Sequence, residues 1–202
     1  MLSLDDVEPA ALEPSVLDDE ERRRAARIPA PARRLSFVAG RLLLRELLGE
    51  ELGVAPRDIA YTRERCPACG AGHGRPALSG SHRGALHFSL SRRDDVVLVG
   101  LASVPVGVDV EALPAPESVD EVGALLHPGE RAEILAAAPA ARPARFARIW
   151  TRKEAYLKGL GVGIATGLAA DHVGRTASPL PGWTVLDAPA PGGYAAAAAV
   201  AA

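Results

Sequence analysis

The two lysines of this chain mark the stretch that most constrains its fold and chemistry. Of 23 basic residues only these two are lysines, and Lys153 and Lys158 both lie within residues 150–158. The chain uses Arg at all its other basic positions. Lys at these two positions therefore indicates a site where the compact charge of an ammonium group acts differently from the planar guanidinium group of Arg. If the stretch is helical, Glu154 and Lys158 lie one turn apart and Lys153 is adjacent, so an acid and two ammonium groups can converge. The alternative is an ordinary ion pair on a solvated helix face.

Residues 142–160 are predicted to form that helix. Apolar residues recur there at helical spacing, Pro143 suits the first turn, and Gly159 suits the C-terminal cap. The rest of the chain also shows patterns of both helices and strands, which is compatible with a mixed fold. They predict helices within residues 18–52 and 128–138, strands at 85–90, 96–102 and near Ile164, a turn at 91–95, and a C-terminal strand at 195–202 paired with 183–186.

A second stretch, residues 104–111, alternates apolar and β-branched residues and is predicted to be a strand. Asp109 and Glu111 are two residues apart and therefore point to the same face. A half-buried pair of acids repels itself unless a cation neutralises it. A hard divalent cation such as Mg²⁺, which binds oxygen ligands and shares substrate phosphates, fits this pair, and Glu154 can supply a third carboxylate. Two carboxylates alone are a weak metal signal, and the lysine-containing helix strengthens it.

Together these stretches resemble the signature pair of the 4′-phosphopantetheinyl transferases. Residues 107–111, Gly-Val-Asp-Val-Glu, are followed about forty residues later by 150–158, Trp-Thr-Arg-Lys-Glu-Ala-Tyr-Leu-Lys. Residues 74–76, Gly-Arg-Pro, resemble the family's Gly-Lys-Pro, and 87–91, His-Phe-Ser-Leu-Ser, resemble its Phe-Asn-x-Ser-His-Ser. The length resembles the surfactin-synthetase-activating type, a pseudo-dimer in one chain, rather than the shorter trimeric holo-acyl-carrier-protein synthases. The resemblance covers roughly residues 33–168.

The resemblance implies an α+β fold of two similar lobes in a pseudo-twofold arrangement, each with a small antiparallel sheet packed on a long helix. Residues 1–104 would form the N-terminal lobe, on the side that binds the phosphates of coenzyme A. Residues 105–202 would form the C-terminal lobe, with the metal-binding and catalytic motifs. The active site is then expected at the lobe interface, and a chain that holds both motifs is expected to be a monomer.

The implied reaction is the Mg²⁺-dependent transfer of the 4′-phosphopantetheine arm of coenzyme A to a serine of an apo acyl, peptidyl or aryl carrier protein, releasing 3′,5′-ADP. Asp109, Glu111 and Glu154 would hold the metal. Glu154 is the candidate general base for the serine hydroxyl, and Lys158 would stabilise charge on the transferring phosphate or the departing nucleotide. The residues expected to contact coenzyme A are Arg34, Arg41, Arg75, Pro76, Ser91, Arg92, Asp109, Lys153 and Lys158.

The chain departs from the family pattern at Arg92. It replaces a His that would meet a phosphate of coenzyme A, so a permanent cation is expected to bind phosphate with less pH dependence. Ser36 lies near the position where the family has an Arg on this helix. For Arg34 and Arg41, the alternative to a contact with coenzyme A is therefore a place on a solvated basic face. These departures suggest one alternative, a degenerate coenzyme A-binding module without turnover. An unrelated Mg²⁺-dependent phosphohydrolase is the other.

Residues 65–76 form a loop rich in Gly and Pro in which Cys66, Cys69 and His73 have zinc-like spacing. A complete site needs a fourth ligand, and the sequence does not choose between His82 and His87. We therefore expect a knuckle-like loop without metal in preference to a structural zinc site or a redox pair.

Composition narrows the class of protein and its partners. The chain is 48% hydrophobic and 24% charged with a net charge of −2, which is typical of a globular protein. It has no basic field for nucleic acid, no run of apolar residues long enough to span a membrane, and no signal-peptide features at its first residues. Two cysteines without a secretion signal indicate the reducing cytoplasm. The expected partners are coenzyme A and an apo carrier protein.

Overall fold

The computed structural model of this protein describes residues 1–4, 12–163, 167–175 and 180–202. Within these ranges helices and antiparallel strands are mixed along the chain, so the predicted α+β fold is confirmed. No helix in these ranges has the length and apolar character needed to cross a membrane. The helices are α1 (Asp19–Ala26), α2 (Pro31–Leu52), α3 (Pro116–Gly123), α4 (Pro128–Leu135) and α5 (Arg142–Leu160). The strands are β1 (Leu2–Ser3), β2 (Tyr61–Arg63), β3 (Pro76–Leu78), β4 (His87–Arg93), β5 (Val96–Ala102), β6 (Val106–Ala112), β7 (Trp183–Ala188) and β8 (Tyr194–Ala201).

The first half of the chain builds a three-stranded sheet next to the long helix α2. The strands have the order β1-β5-β4, and a separate hairpin pairs β2 with β3. Helix α2 begins at Pro31, where no intrahelical N–H bond is lost, and is capped by Gly53 with a left-handed φ of 67°. Leu44 and Leu48 on its buried face belong to one apolar cluster with Phe88 of β4. Their burial is the driving force that fixes α2 on the sheet.

The second half likewise pairs a three-stranded sheet, of order β6-β8-β7, with the long helix α5. The predicted C-terminal strand is confirmed, and β8 runs antiparallel to both β6 and β7. Strand β6 lies directly on α5, because a Cβ atom on Gly107 would come within 1.9 Å of the carbonyl oxygen of Ala155. Only glycine allows this approach of the two backbones. It places Asp109, two residues further along β6, beside the helix that carries Glu154 and Lys158.

Two serines join the halves. The backbone N–H groups of Val108 and Val110 in β6 donate to the hydroxyl oxygens of Ser89 and Ser91 in β4, over 3.0 and 3.3 Å. Side-chain hydroxyls thus replace the carbonyl groups of a regular ladder, and these buried N–H groups are satisfied. Strands β4 and β6 therefore meet along a polar seam.

Helix ends differ from the prediction in two places. Gly161, with a φ of 79°, caps α5 in place of Gly159. Gly159 is instead a packing position, because a Cβ atom there would lie 2.5 Å from the ring of Trp183. Helix α4 ends at Leu135 rather than near residue 138, and a short 3-10 turn follows it.

The hairpin between β4 and β5 is tighter than predicted. Strand β4 continues to Arg93, and Asp94, with a φ of 50°, makes the turn that was expected over residues 91–95. Ser91 and Arg92 are therefore fixed on a strand instead of lying in a loop. The strand predicted near Ile164 falls outside the described residues.

Candidate active site

A lysine, an aspartate and a serine from three elements meet at the seam. The Nζ atom of Lys158, on α5, lies 2.5 Å from Oδ1 of Asp109, on β6, and 3.2 Å from Oγ of Ser91, on β4. The Ser91 hydroxyl donates to the same Asp109 oxygen over 2.8 Å. Lys158 also donates to the carbonyl oxygen of Val108. The structure thus brings together three of the predicted site residues in one hydrogen-bonded cluster.

The second carboxylate oxygen of Asp109 is suited to coordinate a metal ion. Asp109 is only 2% exposed, and no described residue donates a hydrogen bond to its Oδ2 atom. A buried carboxylate oxygen without a partner is costly, whereas coordination of a cation would satisfy it. The arrangement of Lys158 and Ser91 on Oδ1 leaves Oδ2 available for this role.

Electrostatics favour a cation beside Glu154. Burial, and then repulsion by Asp109, raise the pKa of Glu154 to about 7, with Glu111 adding to the shift and Lys158 opposing it. Burial and Asp109 likewise raise the pKa of Glu111, although Arg93 binds its carboxylate over 3.1 Å and opposes the shift. Three carboxyl groups share one half-buried region, so a divalent cation would relieve their mutual repulsion.

The donor set suits Mg²⁺. Asp109, Glu111 and Glu154 provide hard oxygen ligands, which Mg²⁺ prefers over softer ones. The oxygens of these three carboxylates do not all lie within 4.8 Å of one another. Among the described residues, only the potential ligand atoms of Cys66, Cys69 and His73 lie that close together. Mg²⁺ retains several waters, so coordination partly through water is compatible with this spacing.

A cationic cavity of about 360 Å³ adjoins this cluster. The described residues that line it include five arginines and Lys158 but no carboxylate, so the cavity is suited to an anion with several negative charges. Its lining includes Arg24, Phe37, Arg41, Arg63, His73, Gly74, Arg75, Pro76, Phe88, Ser89, Leu90, Arg92, Leu157, Lys158, Gly161 and Gly163.

Three of the arginines surround the ring of Phe37. The Cζ atoms of Arg24 and Arg41 lie 5.6 Å from the ring centroid, and that of Arg92 lies 5.1 Å from it. Partial burial, followed by repulsion from Arg24 and Arg41, lowers the pKa of Arg92. Burial also lowers the pKa of Arg41, against the attraction of Glu21. The crowding of like charges around one aromatic ring means that a bound anion would be strongly favoured.

Arg75 connects the cavity to the end of α5. Its Nε atom lies 2.6 Å from Oε2 of Glu64, and its Nη1 atom donates to the carbonyl oxygen of Gly159 over 2.7 Å. Pro76 follows it at the start of β3 and also lines the cavity. Arg75 therefore fixes the Gly-Arg-Pro turn against the helix that carries Lys158.

Two predicted coenzyme A contacts lie elsewhere, and their assignments are corrected. Lys153 is 0% exposed and pairs with Oε1 of Glu130 over 2.9 Å, while also donating to the carbonyl oxygen of Asp171. Residues five apart on a helix are separated by a rotation of about 140°, so Lys153 points away from Lys158. Arg34 is exposed near the start of α2, donates to the carbonyl oxygen of Ile28, and does not line the cavity.

Sequence reasoning missed Arg24, Phe37 and Arg63 as cavity residues. Arg24 lies in the last turn of α1, where the helix dipole favours any basic residue, so its position gave no sign of a ligand contact. Phe37 is buried on α2, one turn from Arg41, and this aromatic–Arg spacing was the available signal. Arg63 ends β2 and donates to the carbonyl oxygen of Gly74, a contact that no local pattern reveals.

Comparison with known proteins decides the family. Residues 105–198 match the model of the 4′-phosphopantetheinyl transferase superfamily. This chain belongs to that superfamily. The match includes the acidic strand and the lysine-containing helix, so the superfamily predicted from those motifs is confirmed, and the surfactin-synthetase-activating type is consistent with it.

Several curated phosphopantetheinyl transferases are similar to this chain over about three quarters of its length. The phosphopantetheinyl transferase of Thraustochytrium sp. is 34% identical over 165 residues, which cover 75% of this chain and 55% of the relative. The 4′-phosphopantetheinyl transferase HetI of Nostoc sp. is 32% identical over 154 residues, covering 75% and 62%. The 4′-phosphopantetheinyl transferase psf-1 of Bacillus pumilus is 30% identical over 162 residues, covering 74% and 60%. The chain thus spans less than two thirds of the length of each of these superfamily members.

Proposed function

We propose that this chain transfers the 4′-phosphopantetheine arm of coenzyme A to a serine of an apo carrier protein, with Mg²⁺ as cofactor and 3′,5′-ADP as the second product. The observation that carries the proposal is the Lys158–Asp109 ion pair at the edge of a cavity lined by arginines. A carboxylate suited to a metal ion and an ammonium group beside a cavity suited to phosphates support the proposal. Membership of the superfamily supports the reaction class.

The cavity arginines are the proposed phosphate ligands. Arg41, Arg75 and Arg92 would make charge-assisted hydrogen bonds with the 3′-phosphate and the pyrophosphate of coenzyme A, with Arg24 as a further contributor. Arg92 has its guanidinium group beside those of Arg24 and Arg41, which supports the expectation that a permanent cation replaces the family's His.

The three carboxylates are the proposed metal ligands. Asp109 would bind Mg²⁺ through Oδ2, while Ser91 and Lys158 hold Oδ1 and so fix the orientation of the carboxylate. Glu111 and Glu154 would complete the protein ligands. When bound, the ion would neutralise the charge that the pyrophosphate carries in the transition state.

Glu154 is the proposed general base. It lies on α5 one turn from Lys158, and it would take the proton of the carrier serine directly or through a water. The serine oxygen forms a bond to the phosphorus that carries the pantetheine arm. The bond from that phosphorus to the bridging oxygen breaks, and 3′,5′-ADP leaves with that oxygen. Lys158 stabilises the charge that develops on the phosphate groups.

Two lobes and a monomeric chain are part of the proposal. We place the N-terminal lobe at residues 1–104 and the C-terminal lobe at 105–202, because the described residues of each half include a three-stranded antiparallel sheet and a long helix. Ser91 comes from the first half, and Asp109 and Lys158 come from the second, which supports a site at the lobe interface. One chain then supplies the whole site without a second copy. We propose a cytoplasmic location from the cysteine usage.

The test is to measure 3′,5′-ADP by chromatography after incubation with coenzyme A and Mg²⁺, with and without an apo carrier protein. Release that requires the carrier supports the proposal. Release at the same rate without the carrier would identify a phosphohydrolase. Coenzyme A binding without release in the presence of several carrier types would identify a module without turnover.

A further inference from the structure

The loop between β2 and β3 has the geometry of a metal-binding knuckle. The loop contains the sequence Cys66-Pro-Ala-Cys69-Gly70. The N–H of Gly70 donates to the carbonyl oxygen of Cys66 over 2.8 Å, and the N–H of Cys66 donates to the carbonyl oxygen of Ala71 over 2.7 Å. Gly70 adopts a left-handed φ of 73°, which reverses the chain. These two backbone hydrogen bonds close a tight turn, and the turn brings the sulfur atoms of Cys66 and Cys69 close to each other.

His73 completes a three-residue cluster. Its Nε2 atom lies 3.0 Å from Sγ of Cys69, and the ligand atoms of Cys66, Cys69 and His73 all lie within 4.8 Å of one another. No other group of three potential metal ligands in the described part of the chain is this compact. His82 and His87, which the sequence offered as fourth ligands, do not belong to the cluster.

We propose that Cys66, Cys69 and His73 bind one zinc ion, with a water molecule in the fourth position. Zinc binds Cys sulfur at about 2.3 Å and His nitrogen at about 2.1 Å, so tetrahedral geometry sets these atoms about 3.6–3.8 Å apart. The ligand atoms of the cluster all lie within 4.8 Å of one another, close to that spacing. Two thiolates and an imidazole select zinc over Mg²⁺, which prefers oxygen ligands, so this site is chemically distinct from the carboxylate cluster.

The loop lacks an apolar core that would stabilise its fold. Between residues 64 and 75 only Cys66 and Gly74 are buried, and the remaining side chains contribute no apolar core. A short segment without a core is commonly held by a metal or a disulfide. Both cysteines are free here. A zinc ion would therefore fix the fold of a loop that burial alone does not fix.

The zinc site lies beside the cavity. His73 lines the cavity together with Gly74 and Arg75, and a Cβ atom on Gly74 would lie 2.6 Å from the carbonyl oxygen of Glu64. The chain is thus tightly constrained between the metal ligand and Arg75. If the proposed function holds, loss of zinc should raise the KM for coenzyme A more than it lowers kcat, because Arg75 loses its support. Zinc binding itself does not depend on that function.

The test is the zinc content of the full-length, reduced protein after gel filtration, measured by plasma mass spectrometry. We expect one zinc per chain in the wild type and in the control His82→Ala, which changes a nearby histidine outside the cluster. Cys69→Ser and His73→Ala should bind zinc more than tenfold more weakly in competition with a chromophoric chelator. Both residues are exposed, so these variants are expected to fold, as circular dichroism would verify.

Cobalt substitution gives an independent readout. Co²⁺ bound by the wild type should show a thiolate charge-transfer band and tetrahedral visible bands, and both should be weaker in Cys69→Ser, which keeps one of the two thiolates. A reduced wild type without zinc, or a His73→Ala variant that binds zinc as tightly as His82→Ala does, would overturn the proposal. Since neither readout uses coenzyme A or a carrier protein, failure here is separable from failure of the proposed transferase activity.

Discussion

The carboxyl group of Glu154 should make the stability of the metal-free protein depend on pH. Burial and the neighbouring Asp109 raise its pKa from 4.5 to about 7, so the folded state favours the protonated form. The stabilisation by this group is fully present below about pH 4.5 and is lost as the pH rises through about 7. Removing the charge with Glu154→Gln should therefore stabilise the protein much more at pH 8 than at pH 5.

The size of the effect follows from the shift. A pKa difference of one corresponds to about 1.4 kcal/mol, so a group moved from 4.5 to about 7 carries roughly 3 kcal/mol. Glu154 is only half-buried, and solvent screening reduces this to roughly 1–2 kcal/mol. For a chain of this length each kcal/mol shifts the melting temperature by about 2–4 °C, which predicts a gain of roughly 2–8 °C for Glu154→Gln at pH 8.

Thermal unfolding followed by circular dichroism, with a chelator present, measures this difference. Glu50→Gln, which changes an exposed glutamate of α2, is the matched control and should behave as the wild type at both pH values. Added Mg²⁺ should raise the melting temperature of the wild type more at pH 8 than at pH 5, since it competes with protons for the same carboxylates. The reasoning is refuted if the melting temperature of Glu154→Gln exceeds that of the wild type by no more at pH 8 than at pH 5.

Three further changes test the remaining assignments. Asp109→Ala should abolish transfer together with Mg²⁺ dependence, and activity still stimulated by Mg²⁺ would contradict its role as a ligand. Arg92→Ala should raise the KM for coenzyme A by about tenfold or more, from the loss of a charged hydrogen bond, whereas Arg34→Ala should leave it unchanged; equal effects in steady-state kinetics would contradict the placement of the cavity. Lys153→Met leaves Glu130 buried without its partner and should lower the free energy of unfolding by about 3–5 kcal/mol, and denaturant unfolding close to that of the wild type would show the buried pair to be dispensable.

The sequence predicted the elements that periodicity defines. The helix at residues 142–160, the acidic strand and the C-terminal strand pair were found where the apolar pattern placed them. Local geometry also correctly placed Glu154 and Lys158 one turn apart. These features depend on neighbours along the chain, and sequence spacing reports them directly.

The prediction failed where contacts from distant elements decide the outcome. Gly159 looked like a helix cap, but Trp183 packs against it and the helix continues to Leu160. Lys153 looked like a site residue, but Glu130 and Asp171 hold it on the opposite face. The clustering of arginines around Phe37 unites three separate elements, and no local spacing encodes it.

Intact-mass spectrometry of an apo carrier protein tests the central claim most directly. After incubation with this chain, coenzyme A and Mg²⁺, the carrier should gain the mass of one phosphopantetheine arm, and a chelator should abolish the gain. Mutation of the acceptor serine in the carrier should also abolish it. No gain on acyl, peptidyl or aryl carriers, under conditions where the chain still binds coenzyme A, would contradict the proposed transfer.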